Sequence, residues 1–193
     1  MESSPPSLKA KAIIQSLQIR DPSEINVKDI AMVRGAFVRE RALEGSEARL
    51  LRKGSLGIIT VNSSIPEEGR KRFAIAHDLG HFELHSASQL IVCAEEDMFV
   101  WNENKSQEIE ANEFASNILM PEEIFKRYIS PGRPSVDVAK ELSTEFRTTL
   151  TATALRYVKL SIEPCALAVS KDAVIKWYQK STSFNFHEGW GKA

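Results

Sequence analysis

The stretch from residue 77 to residue 85 reads HDLGHFELH and places two histidines, His77 and His81, four positions apart. Residues at this spacing lie on one face of an α-helix, about one turn from each other, so both imidazole rings can reach one metal ion. In zinc peptidases a glutamate normally follows the first histidine and acts as general base. This chain has Asp78 there. The stretch predicts a metal-binding helix and leaves open whether the site is catalytic.

The sequence around this stretch predicts a largely buried helix. Residues 63–68 (SSIPEE) provide a serine cap, a proline in the first turn and acids that interact favourably with the helix dipole. Apolar residues surround the helix on every face, which is typical of burial. We expect the helix to run to about His85, which either ends the helix as a cap or partly solvated residue or adds a fourth metal ligand.

A second helix is predicted from about Ser106 to Met120, where Pro121 ends it. Glu108 and Asn112 begin a helical stripe that becomes apolar further along. A carboxylate on such a stripe needs a compensating charge, and a metal ion would provide it. Asn112, one turn on, could accept the second N–H of a ligating histidine.

Other ligands remain open on spacing alone. Glu110 lies on a different face of the second helix and is the rival to Glu108. Cys93 could supply a thiolate, although an ordinary buried thiol is the simpler interpretation. Glu108 and Asn112 themselves also fit solvent-exposed helix positions.

The rest of the chain predicts an α+β fold. Two short helices precede three strands, whose hairpin spacing predicts a small antiparallel sheet. A turn-rich boundary with two prolines follows the second long helix, and two helices and a β hairpin come after it. The predicted divisions are a disordered N-terminus (1–7), a metal-binding domain (8–130), a helical segment (131–160), a short β hairpin (161–180) and a flexible tail (181–193).

Composition and charge exclude several classes of protein. The 193 residues carry a net charge of −1, so no global field attracts nucleic acid or an anionic membrane. Two cysteines are too few for a disulfide scaffold and fit a reducing compartment. Residues 1–6 lack the pattern of a signal peptide, and no apolar run approaches the roughly 20 residues that span a bilayer. We expect a cytoplasmic protein without membrane association.

Two blocks of sequence resemble the ImmA/IrrE family of zinc metallopeptidases. The first is RFAIAHDLGH at residues 72–81, and the second is EIEANEFASNILMP at residues 108–121. The two blocks are specific together, and the resemblance extends over about residues 25–160.

The resemblance implies a zincin-like fold with one zinc ion held by His77, His81 and Glu108, and with Asn112 supporting a ligand from behind. It implies cytosolic regulatory proteolysis, often of a helix-turn-helix repressor, and an antitoxin is a similar candidate partner. The segment 135–159 resembles the helix-turn-helix-like part that follows the core in some members. Its basic residues are opposed by two glutamates, and we do not expect direct DNA binding.

The departure from the family pattern is Asp78, because members usually have glutamate there. Aspartate is one methylene shorter, so its carboxylate falls roughly 1–1.5 Å short of a water at the metal, and a general base must lie within hydrogen-bond reach. Two hypotheses follow. In the first, the protein is a zinc endopeptidase with Asp78 as base, and the sheet edge at residues 57–62 pairs with the substrate. In the second, it is a metal-binding interaction module that does not cut its partner.

Overall fold

The computed structural model describes residues 4–85, 90–93, 106–129 and 134–185, and for residues 90–93 it describes the backbone. Within these ranges the chain forms seven α-helices and six β-strands, and the predicted α+β class is confirmed. In chain order they are α1 (Pro5–Ser16), α2 (Val27–Val33), β1 (Ala36–Arg41), β2 (Ala48–Lys53), β3 (Leu56–Asn62), α3 (Glu68–Leu84), β4 (Leu90–Cys93), α4 (Ser106–Leu119), α5 (Glu122–Tyr128), α6 (Val136–Phe146), α7 (Leu150–Leu160), β5 (Ala166–Lys171) and β6 (Val174–Lys180). None of the helices described here is long and apolar enough to cross a membrane.

The ends of the chain differ from the sequence prediction. Residues 5–7 were expected to be disordered, but α1 begins at Pro5 because Ser4 caps the helix and proline fits its first position. At the other end Ser181, assigned to the flexible tail, is buried, and its Oγ accepts a hydrogen bond from the Cys165 amide (3.1 Å). Residues 1–3 and 186–193 lie outside the described residues.

The start of α3 also differs from the prediction. The helix begins at Glu68, and the preceding residue caps it without a side-chain hydrogen bond. Residues 63 and 64 form a turn instead, because the side chain of Asn62 accepts a hydrogen bond from the Ser64 amide (3.0 Å). The acids at the helix start were placed correctly, but the serine cap was not.

The sheet is mixed, with strand order β1-β3-β2-β4, so the predicted antiparallel sheet is wrong for β1. Strands β2 and β3 form the expected hairpin, whereas β1 runs parallel to β3. The side chain of Asn62 explains the crossing. It donates to the carbonyls of Leu43 (2.9 Å) and Ser46 (3.1 Å) and accepts from the Leu43 amide (3.2 Å), which carries the chain across the end of β3.

This strand order also overturns the predicted substrate edge at residues 57–62. Strand β3 lies between β1 and β2, so its backbone groups are already paired on both sides. An extended peptide can add only to an outer strand. Among the described strands of this sheet, the outer ones are β1 and β4.

Helix α3 is the centre of the core and contacts β2, β3 and α4. All of its residues from Ala74 to Phe82 are buried. Gly57 of β3 allows the ring of Phe82 to lie directly on the sheet, because a Cβ at Gly57 would meet that ring at 3.0 Å. The guanidinium of Arg52 lies over the Phe82 ring, 4.7 Å from the ring centre.

The C-terminal helices share this core. Leu142 and Phe146 of α6 and Tyr157 of α7 belong to the same hydrophobic cluster as the residues of α1 to α5. The hairpin β5–β6 is largely exposed and carries a bulge between Val169 and Ser170. The predicted division into domains stays a prediction.

A buried ion pair fixes the C-terminal half of α3. Arg34 donates from Nε to Glu83 Oε1 (2.6 Å) and from Nη2 to Oε2 (3.1 Å), and Lys9 Nζ lies 3.1 Å from Oε2. The Glu83 side chain is only 5% exposed. Burial acts to raise the pKa of Glu83, but the hydrogen bonds from Arg34 and Lys9 outweigh it and hold the pKa below its ordinary value.

We expect Glu83→Gln to lower the free energy of unfolding by about 2 kcal/mol at neutral pH, because it replaces charge-assisted hydrogen bonds in a buried position. Since the pKa of Glu83 is lowered on folding, this stability is present above the ordinary glutamate pKa and is lost as the pH falls through the lowered one. Urea denaturation at pH 7 measures the loss. Glu40→Gln is the matched control, because Glu40 pairs with Lys28 and Lys71 at the surface and should cost at most about 1 kcal/mol. Equal losses in the two variants would contradict the assignment.

Candidate metal centre

Three side chains from two helices converge at one point. His77 and His81 extend from α3, and Glu108 extends from the first turn of α4. The Nε2 atoms of the two histidines are 3.1 Å apart, and Glu108 Oε2 lies 3.1 Å from Nε2 of His77 and 3.5 Å from Nε2 of His81. Both histidines are buried, and the Glu108 side chain is 17% exposed.

The spacing of these three atoms fits a single metal ion. A triangle with sides of 3.1, 3.1 and 3.5 Å has a circumscribed radius of about 1.9 Å, so one point lies roughly 2.0–2.1 Å from each corner, which is the usual zinc–ligand distance. Two imidazoles and a carboxylate are also a familiar donor set for catalytic zinc. Among the described residues, these three form the only group of potential ligands within 4.8 Å of one another.

Asn112 orients His77 from behind. Its Oδ1 lies 2.9 Å from Nδ1 of His77. An amide oxygen only accepts hydrogen bonds, so Nδ1 carries the hydrogen and donates it. In a neutral His77, Nε2 then has the lone pair that a metal ion would bind. The structure therefore places Asn112 where the sequence prediction put it, one turn beyond Glu108 on α4.

His85 and Glu110 lie outside the group of three donor atoms. His85 was expected to be a helix cap or a partly solvated residue; it is the C-terminal cap of α3 and is only 9% exposed. Its Nδ1 lies 3.0 Å from Nδ1 of His81, on the side of that ring away from the convergence point, and its Nε2 lies 2.8 Å from Glu110 Oε2. Glu110, considered as a rival ligand, thus contacts His85.

Two further candidates from the sequence are Cys93 and Asp78. The backbone of Cys93 pairs with Ala48 in β4, but its side chain lies outside the described residues. Asp78 is fully buried on α3, next to His77. It does not belong to the group of ligand atoms.

The charge states of the site suit a cation. Burial is the main cause that lowers the pKa of His81 below its ordinary value, so this imidazole is neutral at neutral pH. Burial acts to raise the pKa of Glu108, but hydrogen bonding with His77 and His81 outweighs it and holds the pKa well below its usual range. The centre therefore offers an ionised carboxylate and neutral imidazole nitrogen, which are the forms that bind metal.

A glycine allows the two helices to approach. A Cβ at Gly80 would meet the Ala111 Cα at 3.1 Å, the Ala111 carbonyl oxygen at 3.2 Å and the Phe114 ring at 3.2 Å. Gly80 lies immediately before His81, and Ala111 immediately before Asn112. The close contact therefore sits at the level of the donor atoms. Sequence analysis missed its role, although a glycine inside a buried helix was the available signal.

A cavity of about 660 Å³ is lined by two neighbours of His77, Phe73 and Asn112, but by none of the three donor residues. Phe73 and Asn112 form the part of its wall nearest the histidines, and the ring of Phe73 lies 6.4 Å from that of His77. Leu155, Arg156 and other residues of α7 form much of the remaining wall. The cavity has the size of a typical ligand pocket.

The fold and the donor set are those of a metallopeptidase-type protein. The family model described as the IrrE N-terminal-like domain, Peptidase_M78, matches residues 31–157. The chain therefore belongs to this family, and the resemblance seen in its two sequence blocks is confirmed. The matched region contains all three donor residues as well as Asp78 and Asn112. No curated protein matches the chain.

We expect Gly80→Ala to destabilise the protein by about 1–2 kcal/mol, because the new methyl group meets the backbone of Ala111 and forces α3 and α4 apart. Metal affinity should fall as well, since the donor atoms come from both helices. Urea denaturation and competition with a metal chelator measure the two effects. In an ordinary helix interior, glycine to alanine stabilises by up to about 1 kcal/mol. A stabilised variant with unchanged metal affinity would contradict the role given to this contact.

Proposed function

We propose that this protein is a zinc-dependent endopeptidase that holds one zinc ion with His77, His81 and Glu108 and uses Asp78 as its general base. The observation that carries the proposal is the convergence of the three donor atoms in a protein of a metallopeptidase-type family. Nitrogen and carboxylate ligands at tetrahedral spacing favour zinc, and three protein ligands leave a position open for substrate.

A zinc ion bound here supplies Lewis acidity, which polarises a peptide carbonyl and lowers the pKa of water. The residues of the chain bind the ion, orient its ligands and exclude solvent. His77, His81 and Glu108 hold the ion, and Asn112 keeps His77 in the orientation that binding requires. The buried setting excludes bulk solvent, which strengthens every charge interaction at the site.

Asp78 is the proposed proton carrier. Its carboxylate takes a proton from the attacking water as the new carbon–oxygen bond forms, and it delivers that proton to the amide nitrogen as the carbon–nitrogen bond breaks. Because aspartate is one methylene shorter than glutamate, the proton travels over a less favourable distance. A misplacement of about 1 Å can cost on the order of 100-fold in rate. We therefore propose a slow, regulatory peptidase.

The proposed substrate is a helix-turn-helix repressor or an antitoxin protein in the cytoplasm. Family membership supports this choice. Direct DNA binding is not part of the proposal, because two basic residues of the C-terminal helical segment are used internally. Arg147 donates to the carbonyls of Pro22, Ser23 and Ile25, and Arg156 is buried and donates to Met120 and Asn117.

A second candidate function rests on Asp78 itself. If its carboxylate does not reach the attacking water, the same centre is a metal-stabilised scaffold that binds its partner without cutting it. The two functions predict the same metal and the same partner. They differ only in cleavage, so one experiment separates them.

The experiment incubates zinc-loaded protein with the repressor or antitoxin encoded beside it and follows cleavage over time. Wild type should cut slowly, His77→Ala should be inactive, and Asp78→Glu should cut up to about 100-fold faster, because the longer side chain restores the reach of the base. A chelator should abolish cleavage, and added zinc should restore it. Asp137→Glu, the same change at an exposed position of α6, is the matched control and should leave the rate unchanged.

Two outcomes would separate the candidates. A zinc-loaded wild type that binds the partner without cutting it, beside an Asp78→Glu variant that cuts, identifies the non-catalytic scaffold. Cleavage by His77→Ala at the wild-type rate would rule out the proposed centre as the source of activity.

A further inference from the structure

Two residues form a hydrogen-bonded chain behind His81. Nδ1 of His81 lies 3.0 Å from Nδ1 of His85, and Nε2 of His85 lies 2.8 Å from Oε2 of Glu110. Helix α3 provides His81, its C-terminal cap residue is His85, and α4 provides Glu110. Both histidines are buried, whereas the Glu110 side chain is 47% exposed at the outer end of the chain.

The chemistry of these groups fixes where each hydrogen lies. An ionised carboxylate only accepts hydrogen bonds, so Nε2 of His85 carries a hydrogen and donates it to Glu110. In a neutral His85, Nδ1 then has a lone pair, and it accepts from Nδ1 of His81. His81 therefore carries its hydrogen on Nδ1. In a neutral His81, Nε2 is then left with the lone pair that a metal ion would bind.

We propose that His85 and Glu110 are positioning residues that hold His81 in its Nδ1–H form and so tighten the binding of metal at the centre. This inference rests on the proposed metal site but not on peptidase activity. Hydrogen-bond partners behind a ligating histidine fix its ring orientation and raise its basicity. A carboxylate at the far end polarises the chain further.

The hydrogen-bonded chain from His81 through His85 to Glu110, called the relay below, gives the two ligating histidines different support. His77 is backed by the neutral amide of Asn112, whereas His81 is backed by an imidazole that is itself held by a carboxylate. Glu110 also lies two residues from Glu108 on α4. A single helix therefore supplies one donor atom and the outer support of another, so the ligand and the relay are placed by the same helix contact.

The first test measures zinc affinity by competition with a chromophoric chelator. His85→Leu removes the acceptor behind His81 and should weaken binding by about 10- to 100-fold. His85→Asn should stay within a few-fold of wild type, because its side-chain oxygen can take the position of Nδ1 and accept the same hydrogen bond. Glu110→Ala should weaken binding, and Glu110→Gln, which keeps an acceptor oxygen, should weaken it less. Glu123→Ala, which removes an exposed carboxylate on α5, is the control.

The second test observes the hydrogen directly by nitrogen-15 NMR of the histidine rings in the metal-free protein. We expect His81 to carry its hydrogen on Nδ1 in wild type and in His85→Asn, and to lose this preference in His85→Leu. A merely structural role for His85 would not move this signal. If His85→Leu folds poorly, wild type and His85→Asn still test the position of the hydrogen on His81.

The outcomes are distinct. If wild type binds zinc and the His85 and Glu110 variants bind it equally well, the relay is overturned while the metal centre stands. If His81 carries its hydrogen on Nε2 in wild type, the relay is overturned on its chemistry. If wild type and every variant bind no zinc, the metal centre and the relay both fail.

Discussion

The close contact between α3 and α4 at Gly80 is the constraint on which the rest of the site depends. The missing side chain at Gly80 lets the backbone of Ala111 come within van der Waals distance. The donor atoms of the centre are divided between these two helices, so the distances from Glu108 Oε2 to His77 (3.1 Å) and to His81 (3.5 Å) depend on this close approach. The sheet supports the arrangement from the other direction, with Phe82 of α3 packed on Gly57 of β3.

Helix α4 supplies a donor atom and support for the donor atoms of α3. Glu108 contributes an oxygen, Asn112 contacts His77, and Glu110 contacts His85, which in turn contacts His81. Three residues at alternate positions thus perform three tasks within little more than one turn. Burial keeps the imidazole of His81 neutral, and the surrounding hydrogen bonds keep Glu108 ionised. The geometry and the charge states therefore favour the same occupant, a divalent cation.

The sequence predicted the parts of this protein that depend on local patterns. Histidines four apart on a buried helix, and Glu108 with Asn112 one turn apart on another, are side chains that the structure brings together, because helical periodicity places them. Prediction from the sequence failed where the local structure depends on a contact between residues far apart in the chain. The crossing of β1 depends on Asn62 holding residues of another loop, and no strand pattern encodes that. His85 was read as partly solvated because its partner, Glu110, comes from a helix far along the chain.

The most direct test of the central claim is anomalous diffraction from crystals grown with zinc. The account predicts one zinc site per chain, roughly 2.0–2.2 Å from Nε2 of His77, Nε2 of His81 and a carboxylate oxygen of Glu108. It also predicts that His85 and Glu110 make no contact with the ion. A crystal saturated with zinc that shows no peak among these three residues, or a peak held by other ligands, would contradict it.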